Sequence, residues 1–435
     1  MGLKAVLKNR VMRGLFSPAR RDAKRRKAER KRVKSNAPHV VEYFHQPSDP
    51  YAHLLVQVLP EFCRRYEIEL RVHLTPPPPD WAAPDRQRLD TYARLDAVRL
   101  ARRAGLSFVD PGQQPSPENE AIATSALVAA MNAGLFLQDA TEIGERLWRA
   151  AASNDSPTLA PSVSAALSAG NARRDELGHY LGATLFYAGE WYWGLDRLHF
   201  LEQRLRALGA AREDAPDTAI FPPPIVPIAT ARPTEEARPE LHWYLSFRSP
   251  YTGIVAARVK ALADAYGADL KLRYVLPMVM RGMQVPRKKG FYIMNDTVRE
   301  AERQGIAFGN ACDPVGEPVE RGYAILHEAN RRGQGFAFVQ SFLAGVWADG
   351  LDAGSDRDLK TITERAGLDW NEMKLLLGEE HWRAEAEANQ QEMFDYGIWG
   401  VPSFRVGETA TWGQDRLWVI EDALNAAVMN KEKDI

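Results

Sequence analysis

Residues 242–274 read HWYLSFRSPYTGIVAARVKALADAYGADLKLRY, and residues 42–74 read EYFHQPSDPYAHLLVQVLPEFCRRYEIELRVHL. The two stretches align without a gap at an offset of 200, so that Pro50 meets Pro250, Tyr51 meets Tyr251, Tyr66 meets Tyr266 and Leu70 meets Leu270. The match continues through Tyr92 and Tyr292, Asp96 and Asp296, Arg99 and Arg299. Near the end of each copy, Trp193-Gly194-Leu195-Asp196-Arg197-Leu198 mirrors Trp412-Gly413-Gln414-Asp415-Arg416-Leu417. The offset there is 219 against 200, so the second copy is longer by 19 residues in its middle. A solenoid repeats every ~20–50 residues, so this period points instead to two domains of one fold in a chain of 435 residues.

Each copy has the same expected layout. A strand (Val40–Phe44; Leu241–Phe247) runs into a helix that begins at Asp49-Pro50 or Ser249-Pro250. Asp and Ser cap helix N-termini by accepting from free N–H groups, and proline suits the first helical position because its missing N–H has no helical partner there. A second strand follows (Glu69–Leu74; Asp269–Val275), then a long region of helical periodicity. A β-hairpin (Thr184–Trp193; Val401–Trp412) and a last helix near Asp196 or Asp415 close the copy. Between them, Ala215–Pro239 holds Pro222, Pro223, Pro224, Pro227, Pro233 and Pro239, which keeps a chain extended. The domains are placed at 37–212 and 240–430, with 213–239 as a proline-rich linker.

Composition narrows the function classes. Hydrophobic residues at 45% and charged residues at 26% suit a globular chain and exclude one disordered throughout. No apolar run approaches the ~20 residues of a membrane-spanning helix. The two cysteines, Cys63 and Cys312, form no CxxC, which excludes a dithiol redox motif and a four-cysteine zinc site. No metal site is expected.

The net charge of −1 hides an asymmetry. Residues 1–36 carry fourteen Lys or Arg against Asp22 and Glu29, a balance of +12 that leaves −13 for the rest. Charges this dense repel, so the segment is expected to be a flexible arm, or at best a solvated helix. Its expected partners are nucleic acid, an anionic membrane surface or an acidic protein; the alternative is a solubilising tail with no fixed partner, or one lying on the acidic body of its own chain. No apolar stretch follows the basic residues, so no secretory signal is expected, and the chain is read as cytoplasmic.

The layout resembles the thioredoxin fold with a helical insertion, and more narrowly the DsbA-like superfamily in its branch of 2-hydroxychromene-2-carboxylate isomerases and kappa-class glutathione transferases. Domain two carries the resemblance in Phe247-Arg248-Ser249-Pro250-Tyr251, in Pro286-Arg287-Lys288-Lys289-Gly290-Phe291-Tyr292 with Asn295-Asp296, in Gly400-Val401-Pro402-Ser403-Phe404, and in Trp412-Gly413-Gln414-Asp415-Arg416-Leu417. The implied fold class is α/β, with tandem DsbA-like thioredoxin domains, the first degenerate.

A helix N-terminus carries about half a positive charge and stabilises an adjacent anion. Domain two has Ser249 there, not cysteine, and its hydroxyl can donate to a thiolate brought by a ligand. The resemblance names that ligand as glutathione, and the activity as glutathione-dependent isomerisation or transfer on an aromatic or unsaturated small acid. It makes Pro402 a cis-proline opposite the helix, with the Val401 backbone pairing to the cysteinyl part of glutathione. Gln414 and Asp415 match the residues that hold its γ-glutamyl end, and Lys289 a basic residue approaching glutathione or an acidic substrate. Plain readings stand beside these: Ser249 and Asp415 as N-caps, Pro402 as a trans proline, Lys289 as a solvated lysine, Arg416 in a structural salt bridge, Cys312 as an inert thiol.

Domain one departs from the pattern. Asp49 replaces the serine and repels a thiolate, Thr184 stands where domain two has Pro402, and Leu89 stands opposite Lys289. Asp49 is a candidate base, with Glu42, His45 and His53 near it in sequence. The favoured reading is a domain that kept the fold and lost glutathione chemistry, and that serves as a packing partner in a pseudo-dimer or as a cover on the second site. Two further readings of the whole chain remain: a thiol oxidoreductase using Cys312 alone, and a non-catalytic binding protein that docks through its basic arm.

Overall fold

The computed structural model describes residues 13–151, 160–224 and 238–433. They divide into two compact units, Asp22–Pro223 and Met1–Arg21 with Pro224–Ile435. Helix α1 (Pro18–Lys34) precedes the first sheet. Then β1 (His39–His45), α2 (Pro50–Arg65) and β2 (Ile68–Leu74) form a parallel crossover. Helices α3 (Arg86–Ala104), α4 (Pro117–Ala133), α5 (Phe136–Arg149) and α6 (Pro161–Glu176) follow, then the hairpin β3 (Thr184–Tyr187) and β4 (Glu190–Trp193), and α7 (Leu198–Ala207).

The second unit repeats that order. It runs β5 (Glu240–Leu245), α8 (Pro250–Ala265), β6 (Asp269–Tyr274), α9 (Arg287–Arg303), α10 (Glu317–Arg331), α11 (Gly335–Ala344), α12 (Asp356–Arg365), α13 (Trp370–Met373) and α14 (His381–Asp395). The hairpin β7 (Ser403–Val406) and β8 (Thr409–Trp412) and then α15 (Leu417–Lys433) complete it. The sheets are ordered β2-β1-β3-β4 and β6-β5-β7-β8. The 19 extra residues fall between β6 and β7, within the helical insert.

The central strands explain the order. Strand β1 pairs in parallel with β2 and antiparallel with β3, and β5 does the same with β6 and β7. Helices cover both faces of such a strand, so its sequence is almost continuously apolar rather than alternating. Val41, Tyr43 and Phe44 are fully buried in β1, as are Leu241, Trp243, Tyr244 and Leu245 in β5. Both first helices begin with a side-chain cap and proline. Asp49 accepts from the Tyr51 amide at 2.9 Å, and Ser249 from the Thr252 amide at 3.3 Å.

One matched pair acquires a role. The Tyr51 hydroxyl donates to Asp96 at 3.0 Å, and the Tyr251 hydroxyl to Asp296 at 2.8 Å. In each unit this bond ties the first helix to the first helix of the insert, across 45 residues of sequence.

The hairpin register corrects one alignment. Thr184 faces Trp193 and Ser403 faces Trp412, so Thr184 corresponds to Ser403 and Ala183 takes the place of Pro402. The first half of the proline-rich stretch packs on the first unit: Phe221 is buried, the Ile220 amide donates to Glu202 at 3.0 Å, and Arg65 donates to the Thr218 carbonyl at 2.7 Å. Residues 225–237 of that stretch lie outside the described residues, as do residues 1–12 of the basic arm. Among the described residues, no helix is long and apolar enough to cross a membrane.

Candidate active site

The start of α8 and the loop before β7 meet in the second unit. Ser249 is half-buried with extended backbone angles (φ −86°, ψ 113°), as an N-cap requires. Its Oγ–H donates to the Val401 carbonyl at 3.2 Å. The bond joins residues 152 apart, so only the folded sheet brings them together. The Val401–Pro402 peptide is cis. Beyond it the loop is pinned on both sides: Ser403 Oγ donates to the Gly400 carbonyl at 2.6 Å, and the Gly413 amide to the Pro402 carbonyl at 2.9 Å. A Cβ on Gly400 would lie 2.7 Å from the Trp412 indole, so the loop can lie this close to the hairpin only with glycine there.

Gln414 and Asp415 follow Gly413, whose φ of +112° turns the chain from β8 toward α15. Gln414 is buried, and its side chain is held by residues distant in sequence. Arg258 Nη2 and Gln304 Nε2 both donate to its Oε1, the latter at 3.3 Å, and Arg258 Nη1 donates to its main-chain carbonyl at 3.2 Å. Only the oxygen of an amide can face a guanidinium, so Arg258 sets which way the amide points. The amide nitrogen of Gln414 then has no hydrogen-bond partner among the described residues. Arg258 is itself held down to about 10 by burial, against the opposing charges of Glu300 and Asp415. Asp415 is partly exposed, with its carboxylate 3.5 Å from the Arg416 guanidinium.

Lys289 is 8% exposed near the start of α9, and its side chain has no hydrogen bond or ion pair among the described residues. Burial lowers its pKa. It shares a helix face with Asp296, two turns on, because seven residues nearly complete two helical turns. A buried cation without a carboxylate opposite is costly, and an acidic ligand would relieve that cost. The backbone amide of Cys312 donates to the Val346 carbonyl at 2.7 Å, and its neighbour Asp313 accepts from Arg248, the residue before Ser249, at 2.9 Å. Cys63, in the first unit, is pushed up to about 11 by burial. Among the described residues, no group of His, Cys, Asp or Glu is placed to hold a metal ion.

Within the second unit, residues 240–425 match the family model of the DSBA-like thioredoxin domain. A 2-hydroxychromene-2-carboxylate isomerase of Pseudomonas sp. (strain C18) is 23% identical over 199 residues, which are 44% of this chain and 92% of that protein. Its counterpart from Pseudomonas putida is 22% identical over 190 residues, 42% of this chain and 92% of that protein. A solved 2-hydroxychromene-2-carboxylate isomerase superposes with a TM-score of 0.40 at 20% identity, covering 45% of this chain and 98% of that one. The cytosolic disulfide reductase DsbM of Pseudomonas aeruginosa, solved with GSH, superposes with a TM-score of 0.35 at 18% identity, over 45% of this chain and 99% of that one.

The corresponding place in the first unit is built differently from this DSBA-like domain. Asp49 caps α2, and burial pushes its carboxyl up to about 7, against the pull of the Tyr51 and Ala52 amides. Burial also raises the pKa values of Asp90 and Glu120, and Glu120 accepts from the Ser48 hydroxyl at 2.9 Å. His45 is held down to about 3 and His53 to about 4 by burial, so both are neutral at pH 7. Glu42 turns away to Arg173 and His73, bonding them at 2.7 and 3.0 Å. Gly182 occupies the place of Val401. A Cβ there would lie 2.6 Å from Gln46 Cβ and 3.4 Å from an Asp49 oxygen, so backbone fills the cleft. Ala183, in place of the cis-proline, takes a left-handed φ of +50°.

Arg258 and Gln304 escaped the sequence reading. Arg258 flanks the apolar face of α8 at Val255, Val259 and Leu262, and a charge there is a weak signal. Its partner lies 156 residues away, beyond the reach of any local pattern. Tyr251 and Asp296 were visible as repeated residues, without their bond.

Proposed function

We propose that the DSBA-like domain is a glutathione-dependent isomerase or transferase acting on an aromatic or otherwise unsaturated small acid. The observation that carries this reading is the Ser249 hydroxyl at the N-terminus of α8, beside the Val401 carbonyl and the cis-proline. The names of its isomerase relatives point the same way.

The residues present fit the tripeptide. Ser249 would turn its proton from the Val401 carbonyl to the incoming sulfur, and the positive end of α8 adds to the stabilisation of a thiolate. The Gln414 amide N–H is a buried donor with no partner among the described residues, suited to the carboxylate of the γ-glutamyl end. Asp415 would take that end's ammonium group. The Val401 backbone would pair with the cysteinyl unit, and Lys289 would meet a carboxylate of glutathione or of the substrate. Bound glutathione supplies a sulfur nucleophile that adds reversibly to a double bond, so that rotation and elimination return an isomer. The chain's own residues bind it, keep the sulfur deprotonated and orient it.

The first unit, with Asp49 at the helix start and Gly182 against Gln46, is read as not taking glutathione. The chain is read as cytoplasmic, where glutathione is abundant. Thermal unfolding of the full chain with glutathione tests the reading, because a ligand that binds only the native state raises its apparent stability. The expected result is a rise in Tm that grows with glutathione concentration and is reduced in Gln414→Leu. No rise at millimolar glutathione would overturn the proposal.

A further inference from the structure

The basic segment is a helix with two unlike faces. Within α1, Arg25 and Arg32 lie on the side that docks on the first unit. Arg25 forks onto Glu190 at 2.6 and 2.7 Å, and Arg32 bonds the Ala37 carbonyl at 2.9 Å and Glu29 at 2.6 Å. The two acids of the helix, Asp22 and Glu29, belong to this partly buried side. At 100° per residue, Lys24, Lys27, Lys31 and Lys34 fall opposite, in an arc about 80° wide that also holds Arg20, one turn earlier. Arg26 and Arg30 flank them. All seven are exposed, and none has an ion-pair partner among the described residues.

This distribution narrows the partner. Like charges three and four residues apart repel along a helix, and here no acid on the exposed face relieves them. Seven cations over about 21 Å of helix make one per about 3 Å. Duplex DNA carries one charge per about 1.7 Å of axis, a density of the same order and opposite sign. A membrane-surface helix needs bulky apolar residues beside its cations, and this face offers only the alanines Ala19 and Ala23. Residues outside 1–36 carry a net −13, so the rest of the chain repels a polyanion.

We propose that the exposed face of α1 is a docking surface for the phosphate backbone of nucleic acid, without base specificity. The contacts are point charges to phosphates, so affinity depends on salt through counterion release. Seven contacts predict a log–log salt slope near −6, which is a loss of nearly 10⁴-fold between 50 and 200 mM salt.

The test uses the full chain and a mixed-sequence duplex of about 24 base pairs, followed by fluorescence anisotropy across salt concentration. Lys24, Lys27, Lys31 and Lys34 are changed together to Gln, which keeps helix propensity. The expected result is a loss of at least tenfold in affinity at low salt and a slope shallower by up to about 3.6 units. Changing the same four to Arg is expected to restore both. A control that changes Arg357, Lys360, Arg365 and Lys374 to Gln, exposed cations of the other unit, is expected to bind like the parent. Circular dichroism confirms that each variant is folded. Absent duplex binding overturns the proposal, as does equal loss in the control or failure of the Arg set to rescue. So does equal or stronger binding to vesicles of phosphatidylserine and phosphatidylcholine, or to polyglutamate of matched charge.

Discussion

Replacing Ser249 by Ala removes one hydroxyl and leaves the backbone of α8 in place. Its consequence for a bound thiol follows from what that hydroxyl does in the free protein. There it donates to the Val401 carbonyl at 3.2 Å. A hydrogen bond to a charged acceptor contributes about 1.5–3 kcal/mol, while one between neutral groups contributes about 0.5–1.5 kcal/mol. Turning the proton from carbonyl to thiolate therefore nets about 1–1.5 kcal/mol, which is about one pKa unit. The helix N-terminus remains in the variant and keeps its own share. We expect the bound glutathione thiol to titrate about one unit higher in Ser249→Ala, with a roughly tenfold lower thiolate fraction below that pKa. The assay is the ultraviolet absorbance of the thiolate, titrated on saturated protein. Losing the cap also costs about 1 kcal/mol of folding stability, which Ser249→Asp separates from the chemistry. Asp caps as well as Ser, as Asp49 does in the first unit, yet repels a thiolate. It should restore stability and raise the thiol pKa further. An unchanged thiol pKa in folded Ser249→Ala would refute the reasoning.

Two further outcomes rest on other contacts. Arg258→Met removes the two bonds from Arg258 to Gln414 and leaves only the one from Gln304, so glutathione binding is expected to weaken about 5–30-fold, the equivalent of 1–2 kcal/mol. Gln414→Leu should weaken it similarly and the double variant no more than either single one, read as KM for glutathione with kcat little changed; additive losses would contradict the coupling. In the first unit, the Asp49 carboxyl is raised to about 7 in the folded chain against about 4 when unfolded. The unfolded chain releases that proton first, so this group's contribution is fully present below pH 4, falls as pH rises from about 4 to 7, and is flat above. Asn keeps the cap without the charge, so Asp49→Asn should raise Tm at pH 8 more than at pH 4. An equal change at both pH values would count against a buried, raised carboxyl.

The sequence alone determined the repeat, the strand and helix order of each copy and the capped prolines that start α2 and α8. Those features are local: strand runs, N-caps and turn residues act within a few positions, and duplication at an offset of 200 displays them twice. Resemblance also singled out Ser249, Val401 and Pro402 before their contact was visible. The tertiary structure decided what depends on distant parts of the chain. It brought Ser249 to Val401, placed Arg258 and Gln304 on Gln414, and set Ala183 rather than Thr184 in the place of Pro402. It also sorted the charges of α1 into a docked face and a bare one. Pairing register and burial are settled only when a strand meets its neighbour, and hydrogen bonds across more than a hundred residues leave no periodic trace in the chain.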